Sequence, residues 1–152
     1  MRHVVEVDQS TKIEASGSTV LAFANGIENA ILIQGSVKRA VLEILRERGK
    51  KAGVAILLLF AACLYLLLQD SVADIERIEI DTEYVGHEAD IRAFLLRHVW
   101  SKQPDFEPWR IAFRRIGKKS PAHQKAEAVR KGRDPGYRKV SLEELLDLWN
   151  QK

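Results

Sequence analysis

The chain has 152 residues, enough for one domain with its own core and too few for two independent ones. Hydrophobic residues at 46% and charged residues at 30% exclude a disordered or low-complexity chain, and the single Cys63 excludes a disulfide framework and a cysteine-based zinc site. A lone cysteine suits a reducing compartment, and the net charge of +3 permits an anionic partner without requiring one.

Met1 to Ser10 alternates apolar and polar residues, which reads as a strand with Val5 and Val7 on one face and Val4, Glu6 and Asp8 on the other, and not as a signal peptide. Ser16-Gly17-Ser18 is a turn, and Thr19 to Ala24 is a β-branched and aromatic run closed by Asn25-Gly26, a strong hairpin signal. Ala30 to Gln34 then completes an antiparallel meander ended by Gly35. Ser36 is the expected N-cap of an amphipathic helix whose stripe is Val37, Ala40, Val41, Ile44 and Leu45, with Gly49 as its stop.

Ala52 to Leu68 carries no charge over 17 residues. That falls short of the roughly 20 apolar residues of a membrane span and exceeds an ordinary core helix. A basic flank from Arg46 to Lys51 is compatible with a membrane anchor, but anchoring would split the strands on either side across a bilayer. A buried central helix is the reading adopted here. Its surplus of apolar surface suggests a homodimer through residues 52–68.

Glu76 to Thr82 alternates again as a strand, Tyr84 to His87 is a turn, and Ile91, Phe94, Leu95 and Val99 recur at helical spacing from Glu88 to Trp100. After a loop over Gln103 to Pro108, Trp109 to Ile116 reads as a strand, and Ser120-Pro121 opens a helix through Lys131. Asp134-Pro135-Gly136 is a turn, and a last helix over Ser141 to Asn150 begins with a capping box of Ser141 and Glu144. The expected fold is α/β, a mixed sheet of three antiparallel strands followed by parallel strands and flanked by helices, over residues 1–132 with a C-terminal tail over 133–152.

Charge is polarised along the chain. Asp70 to Asp90 holds eight acidic residues against Arg77, whereas Arg110 to Lys139 holds eleven Lys or Arg against Glu127 and Asp134. Solvated faces can look this way. The sharper reading is a carboxylate cluster that binds cations beside a basic surface that holds phosphates.

Particular residues then resemble the ribonuclease H-like superfamily. Val5-Glu6-Val7-Asp8-Gln9-Ser10 is similar to that family's first strand, and Ile80-Asp81-Thr82-Glu83-Tyr84-Val85 to the end of its fourth. Ile116-Gly117-Lys118-Lys119-Ser120-Pro121-Ala122-His123 resembles the loop before its last helix, and the Ala-His entry is similar to that of Argonaute and Piwi nucleases. The resemblance implies a metal-dependent nuclease that hydrolyses DNA or RNA phosphodiesters by in-line attack of an activated water, with Mg²⁺ or Mn²⁺ on Asp8, Asp81 and His123. One element departs from the pattern. The helix before the fourth strand should carry a metal-binding Glu, but Ala52 to Leu68 has no acid, leaving Glu43 and Glu47 one helix earlier.

The residues support the same site chemically. Mg²⁺ is a hard cation that takes oxygen ligands, and Asp8 and Asp81 both end apolar strands. If those strands are parallel neighbours, the carboxylates sit side by side at the C-terminal edge, where open α/β sheets bind ligands. His123, in the first turn of the last helix, would serve as a nitrogen ligand or a general acid, with a surface or capping histidine as the alternative. For Asp8 the alternative is a turn-forming Asp; Glu79 and Glu83 suit either metal or edge-strand solubility, and Glu127, one helical turn after His123, either replaces or supports it or lies on the helix surface.

Arg114, Arg115, Lys118, Lys119, Arg130 and Lys131 are the expected nucleic-acid contacts, with a solvated basic face as the alternative; Trp100 and Trp109 would either stack on bases or pack at the rim. A cytoplasmic nuclease is therefore expected. The competing class is a non-catalytic nucleic-acid-binding or interaction domain that keeps the fold.

Overall fold

A computed structural model describes residues 2–150. Met1, the expected start of the first strand, lies outside the described residues. The strands β1 (His3–Ser10), β2 (Thr19–Asn25) and β3 (Ile27–Ile33) form the antiparallel meander, and β4 (Ile75–Asp81), β5 (Ile111–Arg114) and β6 (Arg138–Lys139) complete a six-stranded mixed sheet in the order β5-β4-β1-β2-β3-β6. β4 runs parallel to β1, β5 to β4 and β6 to β3. The helices are α1 (Gly35–Glu47), α2 (Ala52–Leu68), α3 (Glu88–Lys102), α4 (Pro121–Arg130) and α5 (Leu142–Asn150).

The hairpin turns where the sequence reading placed it. Gly26 has φ of 86°, and a Cβ there would stand 2.6 Å from the His3 ring, so any other residue would strain the backbone and push His3 aside. β3 starts directly after it, at Ile27 and not Ala30, because the ladder continues through Glu28↔Ala24 and Asn29↔Phe23. Backbone pairing overrides the polar side chains here.

α1 also begins earlier than expected. Gln34, extended at φ −64° and ψ 149°, is the residue before the first turn, and its carbonyl accepts from Lys38 N at 3.0 Å. Ser36 is therefore inside the helix and is not its cap. β5 is shorter than the expected Trp109–Ile116, because Pro108–Arg110 forms a 3₁₀ turn instead. Arg110 holds that turn to the sheet, donating to the carbonyls of Glu76 and Ile75.

The two faces of the sheet are covered unequally. One meets α1, α2 and α3 through a core that includes Val5, Val7, Leu21, Phe23, Ile31 and Ile33. α2 is apolar on every side and accordingly buried among helices and strands, with Leu59, Leu64 and Leu67 fully inaccessible. Among the described residues no helix is long and apolar enough to cross a membrane. The apolar surface that suggested a homodimer is thus largely covered within the chain.

The other face carries α4. It packs on Val20, Ala22 and Ala30 through Ala126 and Val129, whose small side chains let the helix approach closely. Ser120 caps α4, accepting from Ala122 N at 3.2 Å, and Pro121 takes the first helical position, as the sequence indicates. The segment read as a tail contributes a sheet strand, β6, and then α5, whose Leu145 reaches the core; the capping box is present as Glu144 N to Ser141 Oγ at 3.1 Å and Ser141 N to Glu144 Oε2 at 2.9 Å.

Candidate functional site

A β-strand presents alternate residues to each face, and on β1 the even positions Glu6, Asp8 and Ser10 meet α4. Three α4-side residues spaced by about one helical turn answer them: Ser120 Oγ donates to Glu6 at 2.8 Å, His123 Nδ1 lies 2.7 Å from Asp8 Oδ2, and Ser10 Oγ donates to Glu127 Oε1 at 2.7 Å. The parallel register with β4, Glu6↔Glu79 and Val7↔Ile80, puts Asp81 beside Asp8. The two strand-end aspartates are neighbours, as the parallel arrangement required.

Two rows of carboxylates therefore cross these strands, and they are neutralised differently. Arg114 spans the row of Glu6 and Glu79, bonding Glu6 and reaching Glu79 Oε1 at 3.3 Å. In the row of Asp8 and Asp81, no Lys or Arg stands within ion-pair distance among the described residues. Glu83 joins this second row from the turn after β4. Ligand atoms of Asp8, Asp81 and Glu83 all lie within 4.8 Å of one another.

The electrostatics record the crowding. Burial pushes the Glu83 carboxyl up to about 8, aided by its hydrogen bond with Asp81 and the nearby charges of Asp81 and Asp8. Asp8, 4% exposed, is also raised by burial, against the opposing pull of His123 and the Gln9 amide. Asp8 Oδ1 accepts from Gln9 N at 2.8 Å, and Asp81 Oδ1 from Ile116 N at 2.6 Å, so both side chains are held in place. An all-oxygen set of carboxylates, crowded enough to retain a proton, fits a hard divalent cation.

His123 joins the site through Asp8 and is not itself a member of the acidic group. A carboxylate only accepts, so the contact puts the proton on Nδ1 and leaves Nε2 on the far side of the ring. Glu79 belongs to the Arg114 row, and Glu127 is occupied by Ser10, Arg130 at 2.9 Å and Lys131 at 3.8 Å. Bonding to Arg130 and Ser10 holds the Glu127 carboxyl down to about 2. On α1, Glu43 is exposed and 3.9 Å from Arg46, and neither it nor Glu47 belongs to the acidic group.

The basic residues divide in two. Arg114, Arg130 and Lys131 are bound to carboxylates. Arg115, Lys118 and Lys119 are exposed on the loop between β5 and α4, and among the described residues none has a carboxylate within ion-pair distance. That loop touches the site through the Ile116 amide. Trp100 and Trp109 instead lie toward the opposite edge of the sheet, at the end of α3 and ahead of β5, where Trp100 Nε1 donates to the Phe106 carbonyl at 2.8 Å.

The sequence reading gave Glu6 no role and Ser120 only the start of a helix, and it expected Arg114 to contact nucleic acid where it instead bridges Glu6 and Glu79. The alternation on β1 could have revealed Glu6, which shares a face with Asp8. Fold and site together define an α/β protein with an acidic cluster at the C-terminal edge of its parallel strands, able to hold a metal ion. Comparison with models of known families, with characterised proteins and with solved structures gives no match.

Proposed function

We propose that the chain is a ribonuclease H-like, divalent-metal-dependent nuclease acting on a nucleic-acid phosphodiester. The observation that carries this reading is the contrast between the two carboxylate rows. Within one pair of strands, Glu6 and Glu79 are bridged by a guanidinium, whereas Asp8 and Asp81, joined by Glu83, have no Lys or Arg within ion-pair distance among the described residues. Such a group calls for an external cation. The strand order β3-β2-β1-β4-β5, with α4 alone on the opposite face from α1 to α3, supports the fold assignment.

Asp8, Asp81 and Glu83 would hold Mg²⁺ or Mn²⁺, which when bound supplies charge neutralisation at the phosphate and an acidified water. The chain's own residues do the rest. The Gln9 and Ile116 amides fix the carboxylates, and Asp8 orients His123 so that its Nε2 can exchange a proton with a reacting oxygen. Arg115, Lys118 and Lys119 supply contacts to phosphates next to the reacting one.

The second reading is a non-catalytic nucleic-acid-binding or protein-interaction domain of the same fold. It is favoured by α2, which offers no carboxylate where the related nucleases place one. Cleavage of labelled single-stranded, duplex, hybrid and branched substrates with Mg²⁺ or Mn²⁺ separates the two. Cutting that disappears in Asp8→Asn/Asp81→Asn supports the nuclease; salt-dependent binding without cutting supports the binding domain.

A further inference from the structure

Lys12 lies just beyond β1 and was not among the expected contacts. Its side chain is exposed, and among the described residues no carboxylate lies within ion-pair distance of it. Its ammonium stands 5.7 Å from the ring centroid of Tyr84, the residue after Glu83, and Lys12 itself follows Asp8 by four positions, just past the end of β1. It therefore borders the acidic cluster.

The backbone beneath Lys12 is unusually constrained. Thr11 has φ of 69°, a left-handed conformation that a β-branched residue rarely adopts and that persists only where the surroundings enforce it. The enforcement is visible. The Lys12 carbonyl accepts from Ala15 N at 3.1 Å, Thr19 Oγ1 at 3.3 Å and Lys38 Nζ at 3.4 Å, and Ile13 N donates to Tyr84 Oη at 3.1 Å. Lys38 is itself a buried ammonium, further anchored by the Ala15 carbonyl at 2.8 Å and Thr19 Oγ1 at 3.0 Å. A buried lysine is thus spent on holding the turn that carries an exposed one.

We infer that Lys12 is a substrate-positioning residue that binds a backbone phosphate of the nucleic acid, across the carboxylate cluster from the loop of Arg115, Lys118 and Lys119. This rests on the nucleic-acid reading above and adds the second wall of the binding track. A strand lying over Asp8, Asp81 and Glu83 would meet positive charge on both sides, with the pinned backbone limiting how far Lys12 can shift. The ammonium acts as a point charge, so the contact carries no base preference.

The test is binding of short labelled single-stranded and duplex oligonucleotides in Ca²⁺ across a salt series, with cleavage in Mg²⁺ measured in parallel. Lys12→Ala is expected to weaken binding equally for all sequences and to reduce the slope of log affinity against log salt by about 0.7–0.9, the signature of one lost phosphate contact. Lys12→Arg should restore the slope, and thermal stability should not change. Lys102→Ala, at the far end of α3, should behave as wild type. An unchanged slope in Lys12→Ala overturns the inference and leaves a cleaving wild type as a nuclease. A reduced slope without cleavage by wild type supports Lys12 and overturns hydrolysis. No binding by wild type overturns both.

Discussion

His123 Nδ1 and Asp8 Oδ2 meet at 2.7 Å across 115 residues of sequence, joining the last helix on that face to the first strand. Such a partner orients a ligating carboxylate and sets its basicity. His123→Ala is expected to lower Mn²⁺ affinity by about 10- to 100-fold, read by calorimetry, while far-ultraviolet circular dichroism stays unchanged. Equal affinity in the variant would reduce the histidine to packing.

The two carboxylate rows should respond oppositely to neutralisation. Asp8→Asn or Asp81→Asn removes a charge from the cluster, and cation affinity should fall by on the order of 100-fold or more, given about 4 kcal/mol for a charge pair at 4 Å near a protein surface. Glu6→Gln or Glu79→Gln should leave cation affinity near wild type and cost stability through Arg114 instead. Cation binding that survives Asp81→Asn would place the site elsewhere.

Glu83 makes the cation-free protein sensitive to alkali. Its folded value, about 8, lies above the 4.5 of an ordinary glutamate, so the folded state holds a proton that the unfolded chain releases. Its stabilising contribution is complete below 4.5 and is lost as pH rises to about 8, at no more than about 1.4 kcal/mol per pH unit. Thermal melts of wild type and Glu83→Gln should show this slope in the first and its absence in the second. Saturating Mg²⁺ should remove it from wild type, because the cation takes the proton's place.

The basic residues should separate by experiment as they do by geometry. Replacing Arg115, Lys118 or Lys119 with Ala should lower the salt slope of oligonucleotide binding by about 0.7–0.9 each at unchanged stability. Arg114→Ala should instead destabilise the fold by about 0.5–1 kcal/mol in urea, a solvent-screened cost of leaving Glu6 and Glu79 facing each other. If Arg114→Ala unfolds like wild type, the bridge is a surface ion pair of little consequence.

Much of this protein was legible along the chain. Period-two alternation through Val5 and Val7 and again through Ile78 and Ile80, helical spacing through Ile91, Leu95 and Val99, the Asn25-Gly26 turn and the caps at Ser120 and Ser141 are local signals, set by residues within a few positions of one another. Even the burial of α2 follows from its composition, since a helix apolar on all sides must be covered. Pairing of Asp8 with Asp81 needed only the assumption of parallel neighbours, and Glu83 was visible as a nearby acid.

Division of labour among the charges was decided only in three dimensions. Nothing in the spacing of Glu6, Glu79 and Arg114 says that a guanidinium closes one row and leaves the next for a cation, because a salt bridge depends on distances across strands and not along them. Likewise Glu127 reads as an alternative ligand until the packing of α4 on β1 turns it to Ser10 and Arg130. Lys12 carries no sequence signature at all; its place beside Tyr84 is set by the turn that Thr11, Thr19 and Lys38 hold together. Local periodicity is a property of the chain, whereas which charges neutralise one another is a property of the packed fold.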